Sequence, residues 1–273
     1  MSMTGRESTE AGRQVLESQA ADASAGDLID TADNLMAVTR FLLDQPRLRR
    51  ALSDPARGAD DRESLARSVL DGKVDARSLA VVAALVRARW GTPGELADGL
   101  EAIAVEALLE ASSKEGTLQT VEDELFRFRR IVDGDAELSA TLDGTAAAAT
   151  AKVQIADRLL GGKADPVTVK LVEAACYGIG GRSFDASMEY LVNAAAAARD
   201  ETVGYLTVAS PLEEEAERRI AAKLSLVYNR PIGVKVTVDP DVIGGIRIQV
   251  GHDLWDGTVS RRLDDARQAL AGR

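Results

Sequence analysis

The chain has 273 residues, 45% hydrophobic, 28% charged and 4% aromatic, so one to three globular domains must build their cores from Leu, Val, Ile and Ala. A formal net charge of −11 repels phosphate backbones and anionic headgroups, which excludes nucleic acid as a direct partner. The single cysteine, Cys176, excludes an internal disulfide and fits a reducing compartment; the N-terminus lacks the apolar core of a signal peptide, and no window approaches the about 20 apolar residues of a membrane span, so direct membrane insertion is not expected.

Leu28, Leu35, Val38, Leu42 and Leu43 recur at helical spacing until Asp44-Gln45-Pro46 breaks the pattern. Leu48 and Leu52 predict a short second helix ending near Asp54-Pro55, and Leu65, Val69 and Leu70 a third that stops at Asp71-Gly72. A strongly apolar helix is expected over 76–90, carrying Leu79, Val82 and Val86 and stopped by Thr92-Pro93, and another over 95–112. Further helices are expected over 120–133, 136–142, 150–160, 166–177 and 184–199, with Asp165-Pro166 as a cap followed by proline in the first turn.

These helices repeat a plan. LARSVLDGKVD starts at Leu65 and IADRLLGGKAD at Ile155, 90 positions later. The same offset carries Leu35 onto Leu125, Val38 onto Phe128, Leu48 onto Leu138, Leu52 onto Leu142 and Val82 onto Val172 without a gap, and Gly26-Asp27-Leu28 onto Gly116-Thr117-Leu118. Apolar positions fall on apolar positions, as in a duplicated unit. Each copy exposes too much apolar surface as separate helices and is expected to bury it by antiparallel packing.

From Glu201 the period changes. A short strand is expected over 202–209, then a helix opened by Ser210-Pro211-Leu212-Glu213 as a capping box, with Leu212, Ala216, Ile220, Leu224 and Val227 along one stripe. Ile232, Val234, Val236 and Val238 alternate with Gly233, Lys235 and Thr237, which is a half-buried strand. Asp239-Pro240-Asp241 turns the chain, Gly244-Gly245 suggests a bulge, and Ile246, Ile248 and Val250 alternate again. A turn at Gly251-His252-Asp253 and a last helix over 258–271 complete the expectation. The predicted fold is mainly α: two tandem antiparallel helical bundles, over 1–112 and 96–200 with a shared helix, followed by a small α/β C-terminal domain over 201–273.

The tail carries a recognisable combination. Ala209 with Pro211-Leu212, Asp239-Pro240 through Gly244-Gly245-Ile246, and Asp256-Gly257-Thr258 together resemble the C-terminal domain of the ATP synthase delta (oligomycin-sensitivity-conferral) family, with threonine at Thr258 where serine is commoner. Upstream, AVEALLEASSKEG, VEDELFRFRRIV and IADRLLGGK are similar to that family's N-terminal helical domain, and the extra first repeat resembles the elongated actinobacterial form. The resemblance implies a non-catalytic peripheral-stalk subunit on the cytoplasmic face of the plasma membrane. Its partners would be the N-terminal helices of the α subunit and the C-terminal region of a separate, membrane-anchored b subunit. The family's α-binding surface involves the first and fifth helices of the bundle. Carried to the second repeat, this makes Val105, Leu108, Leu109, Val169, Val172 and Cys176 candidate partner-binding residues, and Trp255 is a candidate contact on the tail. The repeat by itself would equally suit a helical adaptor unrelated to any synthase; the tail pattern separates the two.

No cofactor, metal or catalytic site is expected. The sole histidine, His252, sits in a Gly-His-Asp turn and has no second histidine or cysteine to share a metal. Gly72-Lys73 and Gly162-Lys163 lack the earlier glycine and the following Ser or Thr of a phosphate loop, since Val74 and Ala164 follow. Gly178, Gly180 and Gly181 read as a helix stop, and Asp60-Asp61 and Glu213-Glu214-Glu215 as acidic helix starts.

Overall fold

The computed structural model describes residues 2–145, 147–201, 203–228, 232–239, 242, 244–250, 253–259 and 261. The described residues form twelve α-helices and one four-stranded sheet, a mainly α chain with a small α/β C-terminal part. Contacts divide it into two compact units, Met1–Ala195 and Ala196–Arg273.

The first unit contains α1 (Met3–Ala20), α2 (Ala25–Asp44), α3 (Pro46–Ser53), α4 (Ala59–Leu70), α5 (Ala76–Arg87), α6 (Pro93–Glu115), α7 (Leu118–Asp133), α8 (Ala136–Asp143), α9 (Ala149–Leu160), α10 (Pro166–Tyr177) and most of α11 (Phe184–Glu201). Proline occupies the first turn of α3, α6 and α10, where its missing N–H has no helical partner to lose. α1 and α6 start 90 residues apart, as do α3 and α8, α4 and α9, and α5 and α10. α6 therefore closes one six-helix pattern and opens the next. The equivalence reaches the turns: Gly72 and Gly162 share φ 68°, and Asp75 and Asp165 cap α5 and α10 with their carboxylates. Gly26 departs from it. It lies in the first turn of α2, whereas Gly116 ends α6 in a left-handed conformation.

α6 is the axis of this unit. Leu96, Leu100, Ile103, Ala104, Val105 and Ala107 are fully buried along it, on more than one face. Burial this wide around a helix follows from packing on both sides, against α1 and α2 in one direction and α7 and α10 in the other.

α1 is not predicted by apolar periodicity, for a physical reason. Its buried face is Gly5, Ser8, Thr9, Gly12, Leu16 and Ala20, mostly small or polar. A Cβ on Gly12 would lie 2.7 Å from a Leu85 methyl, so glycine permits the close crossing with α5. Thr9 returns its hydroxyl to the Gly5 carbonyl, and Ser8 donates to the Arg89 carbonyl. α5 stops at Arg87, ahead of the expected Trp90. Trp90 is 4% exposed and donates its indole N–H to the Leu85 carbonyl at 2.7 Å, and Thr92-Pro93 opens α6 where it was read as a stop.

The second unit contains β1 (Val203–Val208), α12 (Glu214–Tyr228), β2 (Gly233–Val238), β3 (Ile246–Val250) and β4 (Asp253–Asp256). Strand order is β2-β1-β3-β4, with β1 parallel to β2 and antiparallel to β3, and β3 antiparallel to β4. β1 buries Gly204, Leu206 and Val208 on one face. Leu224, Ile232 and Val250 form the core, with Ile220, Tyr228, Val234 and Ile248 against them.

Four tail expectations need correction. α12 begins at Glu214, with the Glu213 carbonyl accepting its first N–H bonds, so Ser210 caps nothing and Leu212 lies outside the helix. The buried stripe is Ile220, Leu224 and Tyr228, spaced by four, and Val227 stands 68% exposed beside it. Gly244-Gly245 is a left-handed turn leading into β3, with φ 77° and 87°, and interrupts no ladder. β4, which the period does not signal, follows where a turn into the last helix was expected. His252 and most of that last helix lie outside the described residues.

Candidate partner-binding surfaces

Five of the seven candidate residues are core residues. Val105 is 0% exposed, Leu108 2%, Leu109 4%, Val172 0% and Cys176 5%; Val169 is half-buried and Trp255 is 56% exposed. On α10, Val169, Val172 and Cys176 share one stripe, at spacings of three and four. Cys176 lies in the field of Lys152 and Asp157 of α9, so this stripe faces α9. Burial pushes the Cys176 thiol up to about 12, leaving it a small inert hydrophobe.

The other side of α10, bearing Lys170, Ala174 and Tyr177, meets α2 of the first repeat. Lys170 Nζ reaches both Asp33 carboxylate oxygens at 2.8 and 2.7 Å, and the Arg40 guanidinium lies 4.9 Å from the Tyr177 ring centre. α2 packs mainly along α6 and reaches α10 through these two side-chain contacts.

One ionisable group in this layer is strongly perturbed. Glu101 of α6 is 8% exposed and accepts a hydrogen bond from the Gly180 N–H at 2.5 Å, in the 3-10 turn Ile179–Gly181 between α10 and α11. Burial raises its carboxyl to about 7; the Gly180 N–H works in the opposite direction, Asp98 adds to the rise and Arg182 offsets part of it. Arg182 itself donates to the Ile179 carbonyl and lies 4.9 Å from the Tyr190 ring centre. Burial raises the neighbouring Asp98 as well.

In the second unit Trp255 pairs with Ile248 across β3 and β4, on the face that α12 covers. Its indole N–H donates to the Tyr228 hydroxyl at 3.2 Å, and that hydroxyl donates to an Asp253 carboxylate oxygen at 2.9 Å. Leu226 and Val227 are 82% and 68% exposed on the last turn of α12, and Leu254 is 60% exposed on β4. Trp255 with the hydrogen-bonded Tyr228 is an exposed aromatic pair of the kind found at protein contacts, whereas Leu254, paired with Gln249, lies on the opposite face of the sheet. The sequence offers Trp255 as an aromatic on the tail, and only the register of β4 shows that it touches Tyr228 at the end of α12.

Among the described residues no cluster of His, Cys, Asp and Glu could hold a metal, and no helix is long and apolar enough to cross a membrane. Gly72-Lys73 and Gly162-Lys163 occupy helix-to-helix turns.

Residues 105–270 match the family model described as ATP synthase delta (OSCP) subunit. The chain is 48% identical over 270 residues to the ATP synthase subunit delta of Salinispora arenicola, covering 99% of this chain and 98% of that protein. It is 39% identical over 272 residues to the subunit delta of Streptomyces griseus, covering 100% of both. Among solved structures it is similar to a chain of the Toxoplasma gondii mitochondrial ATP synthase hexamer, with 17% identity, a TM-score of 0.33, and 61% of this chain and 94% of that chain covered. The family match begins inside α6, while the actinobacterial relatives also span the first repeat. The chain belongs to the ATP synthase delta (OSCP) subunit family.

Proposed function

We propose that the chain is the peripheral-stalk subunit that ties the catalytic α/β head of a proton-translocating rotary ATP synthase to the membrane-anchored b stalk. In that role it resists rotor torque and makes or breaks no bond. The observation that carries the reading is the likeness to delta subunits along the whole chain, first repeat included. The two-unit construction supports it: a stator link needs two separate grips, and linked sites gain avidity over either alone. In this reading the helical unit takes N-terminal helices of the α subunits in a helix-in-groove mode. The exposed apolar residues of the second unit, Trp255 and Leu226 among them, take the C-terminal region of the b subunit. The complex sits at the cytoplasmic face of the plasma membrane and is held there by b.

Affinity purification of the tagged chain from detergent-solubilised membranes tests this. The α and b subunits are expected to co-purify. Trp255→Ala combined with Leu226→Ala should release b while retaining α, since aromatic anchors at such contacts contribute about 2 kcal/mol or more. Recovery of neither subunit with the intact chain would overturn the reading.

A further inference from the structure

α2 and α7 are the same helix of the two repeats. α2 packs on α6. α7 meets α11, where Arg129 reaches Asp185 at 3.2 Å and Glu189 at 3.4 Å and the Phe128 ring stands edge-on to Phe184. The exposed side of α2 joins the first repeat to the second through two matched pairs. Asp33 holds Lys170 at 2.7 Å, and the Arg40 guanidinium lies 4.9 Å from the Tyr177 ring centre. Asp33 and Arg40 are seven residues apart on α2, and Lys170 and Tyr177 are seven apart on α10. The two pairs follow the same chain order on both helices, so α2 and α10 run in the same direction where they meet.

α7 repeats the donor half of this junction. Asp123 and Arg130 stand at the positions of Asp33 and Arg40, and both are exposed. After α11 the chain continues into the α/β unit and not into a third repeat. Among the described residues Asp123 pairs with Arg127 of its own helix at 3.9 Å, and the Arg130 guanidinium has no ion-pair partner. The surface beside them is more apolar than on α2. Half-buried Met36 becomes Phe126, 51% exposed, and Phe41, 39% exposed, becomes Ile131, 60% exposed. Phe126, Arg130, Asp123, Arg127 and Ile131 lie side by side around α7, opposite the buried Val121, Leu125, Phe128 and Val132. Two large apolar side chains flanking arginines give the composition of a protein contact.

We infer that this face of α7 docks an α-helix of a separate polypeptide that carries a lysine and, seven residues later, a tyrosine or another aromatic residue. The helix runs in the same direction as α7. Its lysine meets Asp123, its ring lies against Arg130, and Phe126 and Ile131 pack on the apolar residues beside them. The junction inside the chain shows which chemistry fits. A second copy of this chain is not the occupant: Lys170 and Tyr177 are engaged by α2, and the corresponding positions of α5 are Ala80 and Arg87, the latter held by Asp60 and Glu63. The partner is defined by this chemistry alone, whether or not it belongs to the synthase.

Photocrosslinking in living cells tests this, with p-benzoylphenylalanine placed at position 126 or 131 of the otherwise intact chain and the attached peptide identified by mass spectrometry. Both positions are expected to attach to one helical segment of another polypeptide bearing the lysine and the aromatic residue seven apart. Asp123→Lys and Arg130→Glu should each lower the yield at least about fivefold, because each sets like charges or an unpaired charge against the guest. Exchanging the partner's lysine for aspartate in the Asp123→Lys chain should restore it. Asp123 and Arg130 are exposed, so the variants leave the core untouched; circular dichroism checks this, and the neutral Asp123→Asn and Arg130→Gln give a milder loss in the same direction. No adduct, an adduct to a second copy of this chain or to a segment without the pair, a yield that neither charge reversal changes, or a charge exchange that restores nothing would overturn the inference.

Discussion

Arg62 shows how a single charged side chain can hold a repeat together. It is 4% exposed, and its guanidinium donates to five backbone carbonyls: Val86, Arg87 and Ala88 at the end of α5, and Asp54 and Arg57 in the loop before α4. The end of a helix leaves carbonyls without partners and concentrates negative potential there, so a fixed fork of N–H donors satisfies both needs. Replacing it by alanine strands these carbonyls in the interior, and Arg62→Ala is expected to cost about 3 kcal/mol in urea unfolding. Arg62→Lys should recover only part of that, because an ammonium cannot span five acceptors. Glu101 acts in the opposite sense. Its carboxyl titrates at about 7 when folded against 4.5 when free. A folded value above the free one means that the stability is full below about pH 4.5 and is lost as the pH rises towards 7. Glu101→Gln keeps an acceptor for the Gly180 N–H and removes the buried charge. Its melting temperature should exceed that of wild type at pH 8, by the equivalent of about 1–3 kcal/mol, and converge with it near pH 4.5. A wild-type melting temperature that does not fall relative to the variant between those limits would refute this account of Glu101.

At the scale of elements, the decisive piece is α6. Because it closes one repeat and opens the next, neither repeat has a complete core without it, and the helical unit is expected to unfold in one transition. With Trp255→Phe as background, Trp90 fluorescence reports the first repeat and circular dichroism at 222 nm the helices as a whole. The two urea curves should coincide, and Leu100→Ala should shift both by about 2–5 kcal/mol. Curves that separate would show repeats that fold independently. By contrast, the Asp33–Lys170 pair is half exposed on the Asp side, and a double-mutant cycle should give no more than about 1 kcal/mol. α2 is held by its packing on α6, and the ion pair adds little to that.

The helices from α2 to α11 were legible because Leu, Val and Ala recur at helical spacing and because Pro46, Pro93, Asp165 and the glycines punctuate them. α10 was read to the residue, from Pro166 to Tyr177. α1 was not, since a helix that packs through Gly5, Ser8, Thr9 and Gly12 has no apolar stripe to find. The start of α12 was misplaced because Ser210-Pro211 mimics a cap, while the β1 strand holds Val208 paired to both Val238 and Ile246 just before it. β4 escaped notice because its two apolar residues, Leu254 and Trp255, are adjacent and do not alternate. The candidate contacts on α6 and α10 came from the family resemblance, and spacing marks only their apolar stripes; it cannot show that α2 of the first repeat reaches α10. That is a tertiary fact, visible only in the reach of Asp33 and Arg40.

For the whole molecule, the account is mechanical. In the proposed function, a duplicated helical stack and a mixed C-terminal unit give two gripping surfaces on one chain, and torque is resisted only when both are engaged. The most direct test uses inverted membrane vesicles from cells in which this gene is deleted and then restored. ATP hydrolysis by the head should persist without the chain, while ATP-driven proton pumping, followed by quenching of a pH-sensitive dye, should be lost. It should return with the full chain and fail to return when Trp255→Ala and Leu226→Ala are combined. Vesicles lacking the chain that still pump protons at the wild-type rate per ATP hydrolysed would contradict the account.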